Sequence, residues 1–118
     1  MLKPNKPIKI LAIDPGSRYL AVAVFENYDL VYSAVKTIKG RTIQELLQKT
    51  SEIIADLIFT YQPDLVAQEK LHYIQCKTSD KLQKLVRQIK KVAQGMQVDY
   101  VEYPPTFVRQ QICQQEKA

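Results

Sequence analysis

Two carboxylates end apolar runs in this 118-residue chain: Asp14 closes Ile8–Asp14, and Glu69 closes Asp64–Glu69. Alternation puts Ile10, Ala12 and Asp14 on one side of the first run, and Leu65, Ala67 and Glu69 on one side of the second. Acids held together repel unless a proton or a cation sits between them. Hard oxygen donors favour Mg²⁺ or Mn²⁺. Such ions activate water and stabilise the leaving oxygen in phosphodiester cleavage, commonly as a pair about 4 Å apart. A plainer reading has Asp14 capping the turn Pro15-Gly16-Ser17 and Glu69 as a solvated strand end. The residues by themselves leave both open.

Whether the two acids meet depends on the elements that carry them. Ile8–Asp14, Leu20–Glu26 and Leu30–Lys36 read as strands, with Asn27-Tyr28-Asp29 as the turn between the last two. Short connections make these three an antiparallel meander. The apolar period then changes: Ile43, Leu46, Leu47, Ile54, Leu57, Ile58 and Tyr61 recur at three- and four-residue steps, which predicts a helix over 42–62. Thr42 and Glu45 form its capping box and Pro63 marks its exit. Asp64–Glu69 is a fourth strand, and Leu82, Leu85, Val86, Ile89, Ala93 and Met96 mark a second helix capped by Thr78 or Ser79. Val98–Tyr103 is a fifth strand, and Pro104-Pro105 opens a third helix.

The order β-β-β-α-β-α-β-α predicts an α/β fold: a mixed five-stranded sheet, antiparallel meander then parallel strands, with helices on both faces. A right-handed crossover through the first helix lays the fourth strand parallel to the first. Beside it, Asp14 and Glu69 would converge at one sheet edge.

Length and composition set the frame around this pair. The chain suffices for one domain, 1–118, and nothing in it marks a boundary or a repeat. Hydrophobic residues at 46% exclude a disordered chain. Neither an apolar span of membrane length nor a signal-peptide pattern is visible, so a cytoplasmic protein without a membrane partner is expected. Cys76 and Cys113 form no CxxC pair and read as reduced thiols rather than a metal or disulfide framework. The net charge of +5 admits a polyanionic partner without requiring one.

Three segments carry a family resemblance. "ILAIDPGSRYLAVAVFE" (10–26) resembles the first two strands of the RuvC family of Holliday junction resolvases, where a strand ends in Asp-Pro-Gly-Ser/Thr-Arg. "PDLVAQEKLHY" (63–73) is similar to that family's fourth strand, which ends in its second catalytic acid. "VEYPPTFVRQQI" (101–112) is similar to its Glu-Tyr segment and the basic helix that follows. The resemblance implies an RNase H-like three-layer fold and a Mg²⁺- or Mn²⁺-dependent endonuclease. It also implies a homodimer that cuts branched, four-way DNA in recombination and repair. By motif match Asp14 and Glu69 are the catalytic metal ligands, and Arg109 falls where the family has a lysine near the scissile phosphate. Lys117 matches a second such lysine across a gap.

The match is incomplete in two places. The family's site uses further acids on a final helix, whereas this sequence closes on Gln-Gln-Glu-Lys-Ala, and Asp99, Glu102 and Glu116 lack the family spacing. The expectation is a C-terminally truncated domain, either a fragment or a natural short form, with negligible cutting by residues 1–118 alone. The alternative function is a non-catalytic nucleic-acid-binding relative with a degenerate site. A third reading, half of an actin-like or sugar-kinase-like ATPase, needs a second glycine-rich phosphate loop, and 3 glycines are too few for one. The second departure follows Glu69, where the family tends to have a phenylalanine and this chain has His72 and then Tyr73. Both are flat enough to stack on a base. His72 serves equally as a surface residue bonding water.

Lys77, Lys81, Lys84, Arg87 and Lys91 recur along the second helix, opposite Leu82, Leu85, Ile89 and Met96. They form either a solvated basic face or a stripe that tracks phosphates. A place beside Asp14 and Glu69 would favour the stripe. Arg18, in the turn after Asp14, could meet a phosphate or pair with Glu26 or Asp29. Tyr19, Tyr28, Tyr32, Tyr61 and Tyr100 are expected to pack rather than stack on bases.

Overall fold

Short runs rich in Val, Ile and Leu satisfy their main-chain groups only by pairing, and five of them pair here into one sheet. The computed structural model describes residues 8–16, 18–70 and 80–103. Along the chain come β1 (Lys9–Asp14), β2 (Tyr19–Glu26), β3 (Asp29–Thr37), α1 (Ile43–Tyr61), β4 (Leu65–Glu69), α2 (Asp80–Gly95) and β5 (Asp99–Tyr103). The strand order is β3-β2-β1-β4-β5. The meander β1–β2–β3 is antiparallel, β4 joins β1 in parallel, and β5 joins β4 in parallel. This is the mixed α/β sheet expected from the sequence, with element ends shifted by a residue or two.

Local chemistry places the elements. Asn27 takes φ 58 in the β2–β3 turn, its N–H donates to Ile8 O at 2.8 Å, and its Oδ1 accepts from Ile8 N at 3.1 Å. Thr42 is extended (φ −122, ψ 161) and its Oγ1 accepts from Glu45 N at 3.1 Å. The Glu45 carboxylate accepts from Arg41 N at 2.8 Å, one residue before the N–H that the capping-box pattern would use. At the exit of α1, Gln62 takes φ 50 and donates to Ile58 O at 2.8 Å, and Pro63 cannot continue the helix.

The core lies between the sheet and one layer of helices. Leu11, Ile13, Val22, Val24 and Val66 from the strands pack with Leu46, Ile54 and Leu57 of α1 and Leu85, Ile89 and Ala93 of α2. Both described helices therefore cover the same face. The opposite face is floored by Ala12, Ala23 and Ala67, with Phe25, Leu30 and Tyr103 beside them. A third helix from Pro104-Pro105, on which a covering of both faces depends, lies outside the described residues, as do the candidate caps Thr78 and Ser79. Among the described residues no helix is long and apolar enough to cross a membrane.

Candidate active site

A single register offset carries β4 along β1: Ile10 pairs with Leu65, Leu11 with Val66, Ala12 with Ala67 and Ile13 with Gln68. The next position on each strand is an acid, Asp14 on β1 and Glu69 on β4. The two therefore share one end and one face of the sheet on neighbouring strands, spaced by the ~4.8 Å of a strand pair. Asp14 is flanked on its other side by Ala21 of β2, and Glu69 by Tyr103 of β5. Glu69 is only 5% exposed, which is not a solvated strand end. A buried acid beside a half-buried one calls for a compensating positive charge or a proton.

The turn that releases Asp14 depends on a close approach. A Cβ on Gly16 would stand 2.5 Å from Tyr19 O, a backbone atom that cannot move aside without opening the turn. Its φ is not positive, so the demand on this glycine is space alone.

Behind Glu69, on the helix face, the neighbouring residue Gln68 is fully buried. Its Nε2 donates to Val86 O of α2 at 3.2 Å and to the Tyr100 hydroxyl of β5, which in turn donates to Glu102 Oε2 at 3.3 Å. Burial pushes the Tyr100 hydroxyl up to about 12. This chain of bonds ties β4, α2 and β5 together one residue from the buried acid. The sequence pattern gave no sign of it, because Gln68 and Tyr100 interrupt apolar faces without forming any motif.

At the same end of the sheet lies a cavity of about 410 Å³, lined by Arg18 and Tyr19 at the start of β2, Thr37, Ile38, Lys39 and Gly40 at and after the end of β3, Leu46 of α1 and Lys81 of α2. Ala21 pairs with Asp14, and Tyr19 stands two residues beyond it, ~7 Å along β2. Arg18 is roughly 26 Å along the strand from Glu26, so pairing with Glu26 or Asp29 is excluded. Lys81, Lys84, Arg87 and Lys91 are all exposed on α2, and of these only Lys81 lines the cavity. Tyr32, Tyr61 and Tyr100 pack as expected, but Tyr19 is 57% and Tyr28 92% exposed. Lys39 and Tyr19 were missed as site residues, since the pairing of the meander brings the β3–α1 connection to the Asp14 end of the sheet. His72, Tyr73, Lys77, Arg109 and Lys117 lie outside the described residues.

A family model, crossover junction endodeoxyribonuclease RuvC, matches residues 10–118. The chain belongs to the RuvC family. Among solved structures, Thermus thermophilus RuvC is similar with TM-score 0.72 and 16% identity over 83% of this chain. The same protein in complex with a Holliday junction substrate gives TM-score 0.72 and 19% identity over 87%. The chain spans 64% and 68% of those two RuvC chains. The yeast mitochondrial Holliday junction resolvase follows at TM-score 0.59 and 11% identity, over 87% of this chain and 56% of that one. A ROK hexokinase from Thermus thermophilus shares the sheet at TM-score 0.55 and 11% identity, over 82% of this chain and 34% of that one. No curated protein matches. At these identities the neighbours establish the RuvC-like, RNase H-like fold, and the family model establishes membership.

Proposed function

We propose that this RuvC-family chain is a metal-dependent endonuclease domain acting on branched DNA in recombination and repair, as a cytoplasmic homodimer. The observation that carries the reading is the pair Asp14 and Glu69, one position past the last registered partners of β1 and β4. Their oxygen donors fit Mg²⁺ or Mn²⁺, ions that accept one or two carboxylates and keep several waters. When bound there, a divalent ion supplies an activated water and neutralises charge at the leaving oxygen.

The chain's own residues do the rest. Two strand ends hold the acids at fixed spacing, Gly16 clears the turn beside Asp14, and the half-buried and buried settings keep bulk water from spreading the charge. Exposed cations on the same edge draw in the phosphodiester backbone. The motif match adds Arg109 and Lys117 near the scissile phosphate, with His72 and Tyr73 stacking at the branch.

A second reading, junction binding without cutting, is favoured by one observation. Among the described residues no group of three or more His, Cys, Asp or Glu could hold a metal ion. The test of the main reading is cleavage of a synthetic four-way junction in Mg²⁺ or Mn²⁺ by the chain and by D14N. Cutting that D14N abolishes supports the nuclease. Tight, metal-independent junction binding with no cutting supports the binder, and no preference for four-way over duplex DNA overturns both.

A further inference from the structure

The cavity at the Asp14 end of the sheet has a chemistry of its own. It is lined by three cationic residues, Arg18, Lys39 and Lys81, together with Thr37, Gly40, the exposed Tyr19 and the apolar Ile38 and Leu46, and no acid lines it. Glu45 packs near Gly40 with its carboxylate turned to the Arg41 N–H, and Asp80 precedes Lys81 in the first turn of α2. The main chain of this wall is held in place. Ile38 N donates to Arg18 O at 2.8 Å, Lys49 Nζ on α1 bonds Lys39 O, and Gly40 lies so close to α1 that a Cβ would stand 3.0 Å from Glu45 Cβ. Both helices begin at this edge, so the positive ends of their dipoles add to the same sign.

We infer that this cavity is a phosphate seat for the DNA strand, separate from the carboxylate pair, in which Lys39, Arg18 and Lys81 hold a non-scissile backbone phosphate and Tyr19 lies against the adjoining sugar or base. The inference rests on the DNA-directed reading above and deepens it by naming where the strand is gripped. Its position fits: Tyr19 of its lining stands two residues, ~7 Å, along β2 beyond the partner of Asp14, at the same end of the sheet. A stacked tyrosine beside phosphate-binding cations is the usual composition of a surface that tracks single strands. Holding the chain here would fix which phosphodiester arrives over Asp14 and Glu69.

The test measures binding of a labelled four-way DNA by the full chain as a function of salt, without divalent ions. Lys39→Ala and Lys81→Ala should each weaken binding about three- to tenfold near 0.1 M salt and lower the slope of log K on log salt by about 0.9. Lys39→Arg should keep the slope. Lys90→Ala removes the same charge from the exposed surface of α2 outside the cavity and should change neither quantity. Tyr19→Ala should weaken binding with the slope unchanged, because a stack releases no counterions. Wild-type binding with normal affinity and slope in Lys39→Ala and Lys81→Ala overturns the phosphate seat and leaves the nuclease reading standing. Absence of any junction binding by the wild type overturns both. Displacement of the junction by millimolar ATP at constant ionic strength, lost in Lys39→Ala, would assign the cavity to free nucleotides instead.

Discussion

Lys9 and Asp64 exchange two hydrogen bonds at the end of the sheet remote from the carboxylates. Lys9 N donates to Asp64 Oδ2 at 2.9 Å, and Asp64 N donates to Lys9 O at 2.8 Å. The offset of this pair is the one that continues through Ile10–Leu65 to Ile13–Gln68 and brings Asp14 level with Glu69. A slip of one residue would send Glu69 to the helix face and Gln68 to the ligand face. The lock at one end of β1 therefore decides which side chains meet at the other.

Asp14→Asn removes a charged oxygen from the pair while keeping its shape. Mn²⁺ affinity, read by calorimetry or paramagnetic relaxation, should fall at least tenfold. Metal-free junction binding should hold or tighten, because a negative charge near the phosphates is gone. Unchanged Mn²⁺ binding would remove Asp14 from the metal site.

The chain should cut a four-way junction slowly in Mg²⁺ or Mn²⁺, with the cutting lost in D14N, and should bind it without cutting in Ca²⁺. Two carboxylates leave an ion with most of its shell as water and the attacking water poorly placed. Robust cleavage in a gel assay would show that Glu102, Glu116 or a partner subunit completes the ligand set.

Gly16→Ala forces the 2.5 Å approach to Tyr19 O to open. Stability in urea should drop by about 1–3 kcal/mol, the usual cost of an overfilled contact. Because the shift falls between Asp14 and Tyr19, metal and junction affinity should drop as well. Gly95→Ala is the control, since an added Cβ meets nothing there within 4 Å. It should be neutral or mildly stabilising in the helix.

Tyr100 gives a pH signature. Its hydroxyl titrates near 10 in the unfolded chain and at about 12 when folded, because burial opposes the phenolate. A raised folded value favours the folded state fully below pH 10, and that contribution is lost as pH climbs from 10 to 12. Urea midpoints should fall across this window in the wild type. Tyr100→Phe should flatten that fall while costing about 1 kcal/mol at neutral pH for the bonds to Gln68 and Glu102.

Replacing Lys81, Lys84 and Arg87 together with alanine should weaken binding to every DNA sequence alike. Lys81 faces the cavity, whereas Arg87 leans on Gln83 of its own helix at 3.4 Å. Lys81→Ala alone should reproduce most of the triple loss in a salt titration. Equal shares from all three would restore the continuous stripe.

Strand and helix periods and the N-cap at Thr42 were legible in the residues, because each is fixed by near neighbours in sequence, and the two acids were legible as strand ends. Glu69 as a buried acid was not, since a strand end looks alike whether water or protein covers it. The bonds from Gln68 to Val86 and Tyr100 join residues 18 and 32 positions apart, and no local pattern encodes such pairs. Lys39 looked like linker for the same reason. Its meaning comes from the antiparallel meander, in which β3 returns the chain to the end where Asp14 stands.

β1 and β4 each have a strand on both sides, whereas β3 is an edge strand. Amides on doubly flanked strands exchange with solvent only in large-scale opening, while edge strands fray on faster, cheaper excursions. Asp14 and Glu69 thus stand on strands flanked on both sides, and the Thr37 side of the cavity stands at the end of an edge strand. Such a division fixes the spacing of the two acids by two neighbouring strands each, whereas the Thr37 side of the cavity owes its place to β2 and to the contacts of Ile38, Lys39 and Gly40.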